Sequence, residues 1–228
     1  MNIAQLNQDN PVNQLFIGMP APDFTANTTF GPMQMSSYLG KWVVLFSHPG
    51  AFTPVCTTEF LTFAKTYPTF QAMNTELIGL NIGSNAADLA WVYSIYEGNN
   101  VEIPFPIIAD RMGDIARLYG MIPMESNLES TVRNVFFIDP NQIIRAMIIY
   151  PATTGRNINE IIRVVQALQT TDQYQVLTPA NWYPGNPVVV PAPSTYDELI
   201  QRETNPQALG LTCLNSYWCY KDINTNGT

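Results

Sequence analysis

The sequence predicts an α/β protein with a central mixed sheet and a C-terminal extension or arm. Three observations carry this. Short β-rich apolar runs alternate with stretches of helical spacing across residues 41–169. Apolar types make up 46% of the 228 residues and charged types only 12%, enough interior for one domain and an appendage. The composition then shifts at Thr178, with Pro179, Pro184, Pro187, Pro191 and Pro193 in close succession.

Taken in order, Lys41 to Ser47 reads as a buried strand, Leu77 to Ile82 as a second and Ile107 to Ala109 as a short third. Asn134 to Ile138 and Ile143 to Tyr150 read as a hairpin around Asp139-Pro140-Asn141-Gln142, whose Asp and Pro suit a turn. Helices fit Thr57 to Met73, Ala86 to Glu97, Gly113 to Tyr119 and Ile158 to Gln169. In the last, Ile158, Ile161, Ile162, Val165 and Leu168 share one face. This divides the chain into a domain over 1–172 and an arm over 173–228. The arm reads as extended, and Trp182, Tyr183, Tyr217, Trp218 and Tyr220 make it too apolar to remain in water, so it is expected to pack on this chain or on a partner.

Eighteen acidic side chains against ten basic ones give a net charge of −8, and the basic residues are scattered singly. Nucleic acids and anionic membrane surfaces are disfavoured as partners. The longest apolar runs, such as Trp42 to Phe46, are of strand length, far below the ~20 residues of a membrane helix. Residues 1–14 show neither the basic nor the apolar segment of a secretory signal. Cysteines at 56, 213 and 219 are odd in number, make no disulfide framework and offer no C-x-x-C metal pair. A reducing, cytoplasmic location is expected. The glycosylation triplets at Asn27 and Asn226 carry no meaning without secretion.

The chemistry concentrates in residues 46–60, which run from the end of a strand into a helix. Thr53 suits the N-cap and Pro54 the first helical position, which places Cys56 in the first turn. Free backbone N–H groups and the helix dipole there favour an anion. A thiol held at such a helix start, or beside a cation, is the kind that reacts as thiolate.

The stretch Pro49-x-x-x-Thr53-x-x-Cys56, and more widely His48-Pro49 to Phe52-Thr53-Pro54-Val55-Cys56-Thr57-Thr58-Glu59, resembles the active-site signature of the peroxiredoxins in their one-cysteine-type branch, which includes archaeal members. Tyr150-Pro151-Ala152-Thr153-Thr154-Gly155-Arg156-Asn157 is similar to a second segment of that branch. The resemblance spans about residues 15–190 and implies a thioredoxin-like fold, a C-terminal arm that often builds the dimer, and no cofactor or metal. It implies reduction of hydrogen peroxide or alkyl hydroperoxides by Cys56, leaving a sulfenic acid. In-line attack spreads negative charge over sulfur and both oxygens, so donors must face that line. By the family pattern these are the Thr53 hydroxyl, the Cys56 N–H and Arg133. Arg156 is the expected outer member of the cation pair, Pro49 and Pro54 shape the pocket, and His48 and Glu59 are supporting residues. A Cys-His protease reading of His48 finds no orienting partner.

Gly50-Ala51 departs from the Arg-Asp or Ala-Asp usual in the family after His-Pro, which puts a subunit contact or the loop's rigidity in doubt. Lys41 stands where members with phospholipase activity carry a serine, so no phospholipase activity is expected. The pair Cys213 and Cys219, with five residues between, resembles the C-terminal cysteines of archaeal members. It implies Cys219 as the resolving residue with Cys213 the alternate, reached only after local unfolding, and an external thiol as the other route. The implied partners are a peroxide, a dithiol reductant such as thioredoxin or a small thiol, and further copies of the chain as a homodimer or higher ring. A ring-forming holdase chaperone or a peroxide sensor on the same fold is the alternative from another functional class.

Overall fold

The computed structural model describes residues 15–122 and 130–223; the opening segment 1–14 and the Asn226 triplet lie outside them. The chain forms two compact units, residues 1–158 and 159–228.

The first unit is built on a seven-stranded sheet in the order β2-β1-β5-β4-β3-β6-β7. Its strands are β1 (Thr25–Thr28), β2 (Gly31–Gln34), β3 (Trp42–Ser47), β4 (Thr75–Asn81), β5 (Ile107–Ala109), β6 (Arg133–Ile138) and β7 (Ile144–Tyr150). Strands β3, β4 and β5 run parallel, and β6 joins β3 antiparallel, so the sheet is mixed. All six residues of β3 are buried, five of them an apolar run suited to the sheet's middle and the sixth, Ser47, hydrogen-bonded. Helix α1 (Pro54–Ala72) follows β3, α2 (Asn85–Asn99) follows β4, and α3 (Asp114–Leu118) follows β5. The helix-spaced aromatics Phe60, Phe63 and Tyr67 of α1 meet Phe46 of β3 and Phe105 in one ring cluster. Gly79 lets β4 pass beneath α1, since a Cβ there would sit 3.2 Å from the Phe60 ring.

Register positions the site. Phe46 pairs with Val135, so the C-terminal end of β3 lies beside the start of β6. Ser47 bridges the two: its hydroxyl donates to the Val132 carbonyl at 2.6 Å and accepts from the Asn134 N–H at 3.1 Å. The loop 48–53 thus leaves the sheet next to Arg133.

The β1–β2 hairpin has no counterpart in the sequence reading. Its strands are four residues each, mostly alternating between exposed and half-buried positions with Thr28 buried, and Pro32 on the edge strand β2 dilutes the strand pattern. Helix α1 begins at Pro54, three residues before the expected range, because Pro54 occupies the first helical position.

In the second unit, α4 (Ile158–Tyr174) runs past Gln169, and the region expected to be an extended tail is folded. It holds β8 (Val188–Val189), α5 (Tyr196–Thr204), β9 (Thr212–Asn215) and β10 (Trp218–Lys221), with the strands in the order β8-β10-β9. Thr195 caps α5 by accepting from the Glu198 N–H. The prolines conceal these elements because each strand is too short for a periodic signal. Trp182 packs among Ala167, Val176 and Val188 of this chain, while Tyr183, Tyr217 and Trp218 are exposed in the single chain. Cys213 and Cys219 face each other across β9 and β10 and form a disulfide, which an odd cysteine count had argued against.

Candidate active site

Cys56 stands in the first turn of α1, fully buried, its thiol unpaired with any other cysteine. Thr53 precedes the helix with extended backbone, yet its side chain makes no cap hydrogen bond. The hydroxyl instead donates to the Gly50 carbonyl at 3.0 Å, so the expected capping role is not realised. Two of the hydroxyl's acceptor lone pairs are left for another donor. Phe52, next to it, adopts φ 57°, a conformation costly for an aromatic side chain, and lies 60% exposed at the rim. Pro49 and Gly50 are half-buried behind it.

Arg133 enters from the start of β6. Its Nη1 lies 3.4 Å from Cys56 Sγ and 2.7 Å from Glu59 Oε2, and its Nε and Nη2 both donate to the Ala152 carbonyl. The guanidinium is fixed on three sides while facing the sulfur. Glu59, one turn along α1 from Cys56, also receives Arg156: Oε1 accepts from the Arg156 backbone N–H and Nε, and Oε2 from Nη2 at 2.7 Å. The remaining Arg156 nitrogen donates to the carbonyls of Ser47 and Asn134. All three ionic side chains are about 98% buried or more. One carboxylate between two guanidiniums leaves one positive charge over, placed beside the sulfur. Burial pushes the Arg156 guanidinium below its usual range, and Glu59 works against that. Its charge also lies over the Phe46 ring at 5.1 Å.

His48 is buried at the end of β3, between the rings of Phe60 and Trp91. Burial first, and then the Arg156 charge, push it down to about 3, so the ring is neutral at physiological pH. It accepts no role as a proton donor from an imidazolium. Its Nε2 meets Asn81 Nδ2 at 3.2 Å, and the same amide donates to Asp88 at 2.7 Å. Neither Asn81 nor Asp88 was singled out by the sequence: an Asn ending one strand and an Asp in a helix's first turn are ordinary in both places.

The structure therefore brings Cys56, Arg133, Glu59 and Arg156 into one hydrogen-bonded group, with Pro49 and Thr53 in the adjoining loop. Cys213 and Cys219 lie in the second unit, bonded to each other. Lys41 lies on the surface in an ion pair with Glu76.

Comparison with known proteins identifies the family. Residues 17–147 match the model of the AhpC/TSA family, and residues 167–205 match the C-terminal domain of 1-Cys peroxiredoxin. A Peroxiredoxin 2 of Caldanaerobacter subterraneus is 58% identical over 91% of this chain and 93% of its own. One from Thermoplasma acidophilum is 55% identical over 83% of this chain and 94% of its own. Among solved structures, the yeast mitochondrial 1-Cys peroxiredoxin, described with a thiol resolving mechanism through glutathione and thioredoxin systems, superposes with a TM-score of 0.80 at 38% identity, covering 92% of this chain and 100% of that one. A mutant of peroxiredoxin 6 of Arenicola marina gives 0.81 at 33% identity, covering 92% and 99%. These neighbours carry the thioredoxin-like fold. The chain belongs to the AhpC/TSA family: it is a peroxiredoxin, a thiol-dependent peroxidase with the C-terminal domain of the one-cysteine branch.

Proposed function

We propose that Cys56 is the peroxidatic nucleophile, that Arg133 and the Cys56 N–H are the donors that stabilise its attack, and that Thr53, whose hydroxyl proton is committed to the Gly50 carbonyl, acts by accepting the hydroperoxide's own O–H rather than as the donor the resemblance implied. The Cys56 thiolate attacks the nearer oxygen of a hydroperoxide. The S–O bond forms as the O–O bond breaks, the departing oxygen takes a proton to leave as water or alcohol, and sulfur is left as sulfenic acid. Charge on sulfur drains onto two oxygens along one line, so fixed donors in a buried site act on the transition state without reorganising. The observation that carries this reading is the Arg133 guanidinium 3.4 Å from Sγ, held rigid by Glu59 and Ala152. Arg156 works one step back, holding Glu59 so that Arg133 keeps its aim. Pro49 shields the loop. The test is single-turnover oxidation by hydrogen peroxide: Cys56→Ser with the fold intact consumes none, and retained consumption overturns the assignment.

We further propose that the arm resolves the sulfenic acid. Cys219 attacks Cys56 sulfenic acid, releasing water and forming a mixed disulfide; Cys213 then displaces Cys56, leaving the disulfide seen between Cys213 and Cys219 for a dithiol such as thioredoxin, or a small thiol, to reduce. What supports this is that the two thiols are close enough to pair within one chain. Non-reducing mass mapping of Cys213→Ser after one equivalent of peroxide tests it: a Cys56–Cys219 linkage is expected, and a lone sulfenic acid at Cys56 assigns resolution to an external thiol. A homodimer or higher ring in the cytoplasm is the setting this reading calls for.

A further inference from the structure

A buried polar chain runs from His48 into the first unit and takes no direct part in the attack of Cys56 on peroxide. Asn81 ends β4, and its side-chain amide lies between Asp88 of α2 and His48. All three are essentially inaccessible. The amide donates one hydrogen to Asp88 Oδ1 at 2.7 Å and points its other hydrogen at His48 Nε2, 3.2 Å away. A carboxylate accepts only, so the nitrogen side of the amide must face Asp88. The hydrogen left over then requires the lone pair of His48 Nε2, and the single ring proton belongs on Nδ1. Gly83 leaves space for the Asn81 amide, since a Cβ there would stand 2.2 Å from its Oδ1.

His48 Nδ1 has no hydrogen-bond partner among the described residues, and neither has Asp88 Oδ2. The Gly50 backbone makes no hydrogen bond to Nδ1 but favours a proton on the ring. The Gly50 carbonyl accepts from Thr53. We infer that Asn81 and Asp88 are positioning residues for the peroxide reaction: they dictate which His48 nitrogen carries the proton, and so whether the ring offers a proton or a lone pair to the Gly50–Thr53 loop. This rests on Cys56 and Thr53 being the reacting site.

The device has a second state. A protonated Asp88 donates, the Asn81 amide turns to accept it, and the amide oxygen then calls for a proton on His48 Nε2. Nδ1 then carries a lone pair where the Gly50 backbone favours a proton, and the loop loosens. Burial raises Asp88 to about 6, opposed by the Asn81 hydrogen bond, so both states fall in an accessible range. The charged groups facing this chain are few. Arg156 and Arg133 act on His48 and keep it neutral. Asp110, whose N–H donates to the Asn81 carbonyl, has its carboxylate engaged by the N–H groups of Asp114 and Ala116. The remaining neighbours of the ring, Phe60 and Trp91, carry no charge.

His48 is the sole histidine, so 15N–1H correlation of its imidazole in the full-length protein reads the tautomer directly. The expected result is a proton on Nδ1 at pH 7.5 and on Nε2 at pH 5, with Asp88→Asn, whose amide oxygen still accepts, held on Nδ1 at both. Alongside, single-turnover oxidation of wild type slows about two- to tenfold between these pH values with an inflection near 6, the worth of one hydrogen bond, and Asp88→Asn lacks that inflection. One unchanging tautomer in wild type, or an Asp88→Asn profile identical to wild type, overturns the inference. The tautomer is read without peroxide, so a failure of Cys56 as nucleophile leaves that reading standing and is seen separately.

Discussion

Arg133 divides one nitrogen between Cys56 and Glu59: Nη1 lies 3.4 Å from the sulfur and 2.7 Å from the carboxylate. The carboxylate aims the cation, and the sulfur receives what the carboxylate leaves over. Removing the cation without disturbing Cys56 is the direct test. Arg133→Met is expected to lower the second-order rate constant for Cys56 oxidation by about 10²–10³, the usual cost of one transition-state donor. Arg133→Lys recovers only part, because an ammonium cannot also span the Ala152 carbonyl. Stopped-flow single turnover measures both, and a loss below threefold would sink the donor role.

Glu59 neutralises two buried guanidiniums, so its removal acts on stability as well as rate. Glu59→Gln leaves Arg133 and Arg156 facing each other with only an amide between them. Breaking a buried pair from one side costs about 3–5 kcal/mol. Urea denaturation followed by fluorescence should show this as a lowered midpoint with unchanged slope.

Two buried titrations oppose each other in their effect on stability. His48 is held at about 3 against 6.5 unfolded, so as pH falls below 6.5 the unfolded chain takes the proton first and stability drops. Asp88 stands at about 6 against 3.8, so the folded chain protonates first and gains stability as pH falls from 6 to 3.8. Each slope is about 1.4 kcal/mol per pH unit, and they offset. Wild type should therefore show little net contribution from this pair between pH 6 and 4. Asp88→Asn should expose the histidine's decline, seen as stability falling with pH more steeply than wild type by roughly that slope.

Gly83 is a backbone requirement of the same chain of residues. Its φ is not left-handed, so conformational freedom is not the reason for glycine there. Gly83→Ala drives a methyl against Asn81 Oδ1, and the overpacking should cost about 1–3 kcal/mol. The His48 imidazole signals should shift with it, whereas Gly98→Ala, with open space around it, should leave them in place.

Much of this protein was legible in the residues alone. Strand β3 was readable because its buried positions Trp42 to Phe46 form an unbroken apolar run, and α1 because Thr53-Pro54 marks a helix start. The same local rules located Cys56 in a first turn, and its motif named Arg133 and Arg156 across 77 and 100 residues of chain. Local rules could not say that Thr53's hydroxyl turns to Gly50 rather than to the helix, since one rotatable hydroxyl can donate to a loop carbonyl or accept from a helix N–H. They also could not fold the proline-rich arm, whose short strands carry no period, nor pair Cys213 with Cys219 before β9 met β10. The chain Asp88–Asn81–His48 was beyond reach for a deeper reason. Hydrogen bonds between strand end, helix turn and loop depend on where three elements stop in space, and only the packed sheet decides that.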